Sequence, residues 1–134
     1  MERRAPGQRP RPSGYTPPGW PTGVRPPGSE GWEQTAVGFL LDCCPADYRG
    51  YPVLRRHPVV LARFAVTFVG AQVSASGEAL GTLRTGLEDV VPPEVVQAAV
   101  EACEEQSARL QRTRREVGLV EEALRGRVFI RRLA

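Results

Sequence analysis

PVVLARFAVTFVGAQVSASGEALGTLRTGL (residues 58–87) and PEVVQAAVEACEEQSARLQRTRREVGLVEEALR (residues 93–125), joined by EDVVP, decide the fold. In the first stretch Val59, Val66, Val73, Leu80 and Leu87 recur every seven residues. Ala62, Val69, Ser76, Leu83 and Val90 each follow three residues later. In the second, Val96, Cys103, Leu110, Val117 and Leu124 repeat the pattern, with Ala99, Gln106, Thr113 and Val120 between them. This is the a/d spacing of helices packed side by side. Each stretch opens on a proline, which is tolerated in the first helical turn because that N–H has no intrahelical partner. A five-residue link forces the two helices antiparallel. At ~1.5 Å per residue, ~30 residues make an arm of roughly 45 Å. The expected fold class is all-α, a long helical hairpin with a coiled-coil seam.

Working outward, Trp32, Ala36, Phe39, Leu40 and Cys43 sit at helical spacing, and Pro45 ends that pattern. A short helix is expected there, then a connector with one helical turn near Val53–Arg56. Leu61, Phe64, Phe68 and Ala71 form a second apolar stripe on the first long helix. The short helix is expected to cover it, giving three helices at one end of the hairpin and only two at the tip. The tip, with Leu87, Val90 and Val91, is the candidate surface for another protein or a second copy of the chain, as in a homodimer. Gly126 is the expected stop of the last helix.

Residues 1–31 hold eight of the 13 prolines and few aliphatics. Such a composition buries too little apolar surface to offset its ordering entropy. It predicts a disordered tail at 1–31 and a folded domain at 32–134. Five arginines against Glu2 and Glu30 give that tail the whole net charge of +3. Every basic residue other than His57 is arginine, asparagine is absent and Ile130 is the only isoleucine. This bias follows the codons of a high-GC genome as readily as any function. Folding of the hairpin gathers Arg55, Arg56, Arg125, Arg127, Arg131 and Arg132 at the thick end, a candidate basic patch for nucleic acid.

Catalytic constellations do not assemble. Cys43-Cys44 lacks the spacing of a metal pair and Cys103 lies far along the seam. His57 has no nucleophile or carboxylate beside it in the pattern. Glu104-Glu105 and Glu121-Glu122 are adjacent on helices, so the members of each pair point apart. No phosphate loop, nucleophile elbow or HExxH run is present. The sequence thus predicts a non-enzyme without cofactor or metal. Three cysteines make no disulfide framework, and the longest apolar run, interrupted by Arg63, is shorter than the ~20 residues of a spanning helix. A cytoplasmic protein without membrane contact is expected. Protein interaction leads, with a nucleic-acid accessory role as the alternative.

The run Tyr51-Pro52-Val53-Leu54-Arg55-Arg56-His57-Pro58-Val59-Val60-Leu61-Ala62, with Val120-Glu121-Glu122-Ala123-Leu124-Arg125-Gly126, resembles small helical proteins of actinomycetes. The resemblance spans about residues 32–133. It implies a bacterial, cytoplasmic setting and transfers no site residue.

Overall fold

A computed structural model describes residues 15–127 and 129. Four α-helices follow one another: α1 (Trp32–Asp42), α2 (Pro52–Arg56), α3 (Pro58–Leu87) and α4 (Pro93–Leu124), with a 3-10 turn (Ala46–Gly50) between α1 and α2. No strand occurs among the described residues.

The long pair forms as the prolines dictate. His57 O accepts from Val60 N and Leu61 N to start α3, and Pro92 O accepts from Val95 N and Val96 N to start α4. α3 ends where Leu87 O takes Val90 N at 2.9 Å and Val91 N at 3.1 Å. α4 ends at the expected glycine, with Arg127 N donating to Glu122 O and Gly126 N to Ala123 O. α3 and α4 pack against each other antiparallel.

The seam on α3 runs as its heptads predict, from half-buried Val59 through buried Ala62 and Val69 to half-buried Leu87. On α4 it departs. Gln106 is exposed, while Val100 is buried and Ser107 half-buried. A straight helix turns 3.6 residues per turn, so its inner face drifts ~20° per heptad. Towards the middle of α4 the inner set therefore takes in 100 and 107 beside 96, 99, 103 and 110. Val90 lies beyond the end of α3 and is 73% exposed.

The core gathers at the thick end. Leu40, Leu54, Leu61, Val69, Val117 and Val120 are fully buried there, with Ala36, Ala62 and Ala65. α1 packs on α3 and more lightly on α4. The second stripe of α3 is covered differently from expectation. Leu61 is buried, but Phe64 stays 45% exposed and Ala71 is exposed. Tyr48 of the 3-10 turn meets Phe64 edge-on at 5.8 Å and lies tilted over Phe68 at 6.4 Å. α1 is 11 residues long and does not reach further along a 30-residue helix.

The expected boundary at residue 31 is corrected. Residues 1–14 lie outside the described residues, but 15–31 form a strap of turns packed on the thick end. Trp20 N donates to Pro17 O, Val24 N to Pro21 O, Ser29 N to Pro26 O and Trp32 N to Ser29 O. Each unit has glycine in its third place: PPGW, PTGV, PPGS, SEGW. Gly19 and Gly28 take φ of 84° and 81°. With Pro18 and Pro27 before them, these are the residues a type II turn requires. Successive turns satisfy the backbone locally and deliver Trp20, Pro21 and Val24 to the core. The scarcity of aliphatic residues concealed this, because three well-placed apolar side chains suffice once the turns fix them.

Candidate functional site

Among the described residues the tip joins two helices and has no third. Val90 and Val95 are large apolar side chains left 73% and 45% exposed, and Leu87 and Val91 are half-buried. Beside them a shallow cleft of about 200 Å³ lies between Arg84, Glu88, Pro93 and Val96. Arg84 Nη2 donates to Gln97 Oε1 at 2.8 Å, and Gln97 Nε2 donates to Glu101 Oε1 at 3.1 Å, which ties α3 to α4 just behind the tip. The structure thus places Leu87, Val90 and Val91 together, and adds Val95. The seam pattern did not single out Val95, since it lies one residue before Val96.

At the opposite end is a second concavity that sequence reasoning missed. A groove of about 270 Å³ opens between the strap and the end of α4, lined by Tyr15, Pro27, Trp32, Glu33, Leu124, Arg127 and Phe129 among others. Its walls are largely aromatic. Trp20 stands behind it, 6.3 Å from Trp32 and 6.1 Å from Phe129 between ring centres, with its Nε1–H donating to Val24 O at 3.0 Å. Treating the strap as tail removed half of these walls from view. The repeated glycine turns were the available signal.

Of the four described arginines of the basic patch, Arg125 and Arg127 are paired with carboxylates, and Arg55 and Arg56 are not. Arg63 and Arg125 both reach Glu121 at 3.3 Å, and the Glu121 side chain is only 11% exposed. Arg127 pairs with Glu122 at 2.7 Å and lies over the Phe129 ring at 5.3 Å. Arg55 Nε donates to Arg49 O at 3.3 Å, and Arg49 holds Asp42 at 2.6 Å. Arg56 is exposed. Arg131 and Arg132 lie outside the described residues. A phosphate would have to compete with carboxylates for Arg125 and Arg127.

The cysteines are free thiols. Burial pushes the Cys43 thiol up to about 12, assisted by the neighbouring Cys44, Glu116 and Asp42. Burial also raises Cys44, against the lowering effect of Arg49. The Cys103 thiol donates weakly to Ser76 O across the seam at 3.8 Å. Reactive cysteines sit where the thiolate is favoured, and Cys43 sits where it is disfavoured. Cys43 should therefore resist alkylation at pH 8 in the folded chain and react promptly in denaturant, as mass spectrometry of iodoacetamide-treated samples would show. Because its folded pKa is raised, its contribution to stability is complete below the free-thiol value near 9. It is lost as pH climbs from there towards 12. Among the described residues no three His, Cys, Asp or Glu side chains converge on one point.

α3 corrects one expectation about apolar runs. It is long and apolar enough, by length and composition, to cross a membrane. Only 22% of that apolar stretch is buried inside the protein, and α3 packs on α4 and carries Arg63 in a pair with Glu121. No protein-family model, curated protein or solved structure matches the chain.

Proposed function

We propose that the chain is a non-enzymatic, cytoplasmic interaction protein that presents the tip of a helical hairpin to a protein partner. One observation carries this reading: the apolar side chains of Val90 and Val95 stand exposed where the hairpin is only two helices thick. Apolar surface left open on a small, otherwise charged arm is characteristic of association surfaces. The nucleic-acid alternative draws on the excess of arginine in residues 109–134, eight against three glutamates. It is weakened by the carboxylates that hold Arg63, Arg125 and Arg127.

The test is capture from an extract of the native host on immobilised full-length chain, beside a Val90→Asp/Val95→Asp variant. Partner recovery should fall at least ~10-fold in the variant, as expected for loss of a central apolar anchor. Equal recovery with both chains would sink the tip as the interaction surface. Salt-sensitive, sub-micromolar binding of DNA or RNA at ~150 mM salt would promote the alternative, because nonspecific phosphate contact alone rarely reaches that range.

A further inference from the structure

Between Glu101 and Arg115 the outward face of α4 carries charges that reverse sign about one residue. Glu101 and Glu104 precede Ala108 by seven and four residues, and Arg112 and Arg115 follow it by four and seven. Steps of three and four place all five on one helical face, and all five are exposed. No ion pair forms at any of these four charges among the described residues, whereas the nearby Arg109 is held by Glu105 at 3.3 Å. Arg112 and Arg115 lie four residues and one residue before Glu116 on their own helix, close enough to lower its burial-raised pKa.

An α4 turned end for end about Ala108 sets each Glu beside an Arg of the other helix. Glu101 then faces Arg115, Glu104 faces Arg112, and both pairs occur twice. Alanine at the centre lets the backbones approach. The free length of this face agrees. It begins at Pro93 and ends where the strap lies on α4, a Cβ on Gly19 falling 3.6 Å from Leu119 Cδ1. The midpoint of that interval is residue 106, two residues from Ala108.

The same register accounts for both apolar features at the ends of the arm. Residues 15 and 16 positions beyond Ala108 are Ala123 and Leu124, which line the aromatic groove. Those the same distance before it are Pro93 and Pro92, between exposed Val90 and Val95. Antiparallel pairing therefore brings the tip of one copy level with the groove of the other, twice per pair.

We propose that two copies of this chain associate antiparallel through α4, with a twofold axis at Ala108 and each tip seated in the partner copy's groove between the strap and α4. This rests on the reading of the tip as an interaction surface and names its occupant. Charge fixes the register, and the two tip–groove contacts supply the apolar burial.

The experiment is sedimentation of the full chain over a micromolar concentration series, with circular dichroism confirming helicity of each variant. Wild type should dimerise. Glu101→Arg/Glu104→Arg and Arg112→Glu/Arg115→Glu should each weaken self-association roughly 100-fold, since four attractive pairs become repulsive. An equimolar mixture of the two variants should associate again as a heterodimer, because one copy then carries only Arg and the other only Glu along the stripe. Val90→Asp/Val95→Asp should weaken the wild-type dimer as well. A monomer at every concentration overturns the proposal, as does a dimer indifferent to both charge reversals or a mixture that fails to associate. A monomer that still captures another protein through Val90 and Val95 leaves the tip reading standing while this proposal falls.

Discussion

Trp20→Ala should destabilise the protein by about 3–5 kcal/mol, the range for removing a large aromatic from a core. Trp20 is 9% exposed and fills the space between Trp32 and Phe129, and its indole N–H is satisfied by Val24 O. Truncation leaves a cavity and strands that carbonyl. Against a typical total of ~5–15 kcal/mol, the loss is a large part of the whole. Urea melts followed by circular dichroism measure it, because helix content must fall when the thick end loosens. Arg25→Ala is the control. Its guanidinium reaches only Glu30 O at 3.1 Å on the exposed side of the strap, and a change within ~0.5 kcal/mol is expected. An unchanged midpoint in Trp20→Ala would show that the strap is not part of the cooperative unit.

Val117→Asp should abolish the folded state at about 25 °C. Val117 is fully buried where α4 crosses the thick-end core. A carboxylate there has no partner, and an unpaired buried charge either costs several kcal/mol or forces protonation. Val117→Ala tests packing alone and should cost about 2 kcal/mol. Gln106→Asp gives the contrast. Strict heptads put residue 106 on the seam, whereas the folded helix exposes it, so its melting midpoint should hardly move. A large loss at Gln106 would mean that α4 is rotated from the orientation described.

What the sequence disclosed depended on how far apart the contacting residues lie. The helices, their prolines and the Gly126 stop are local signals, and all were legible. The α3 side of the seam was legible because Val, Leu and Ala repeat there without competition. The α4 side was legible except at Gln106, where the adjacent Ser107 takes the inner place because of the helical drift. The strap was missed for a different reason. Average composition describes whether a segment can form a core of its own, but Trp20 and Val24 complete a core made by others. The tip was legible as an end with no third helix. The groove was not, since Tyr15, Pro27 and Phe129 meet only through the folded strap.

Both tryptophans of the chain, Trp20 and Trp32, stand in that one aromatic cluster. Intrinsic fluorescence is thus a local gauge, blind to everything beyond the thick end. Between Val69 on α3 and the tip, and from Glu101 to Glu116 on α4, no described residue is fully buried. If that stretch of the arm loosens before the base, as low local burial favours, ellipticity will begin to fall while tryptophan emission stays native. The gap between the two melting curves then measures how independently the arm moves, and occupation of the tip by a partner should close it.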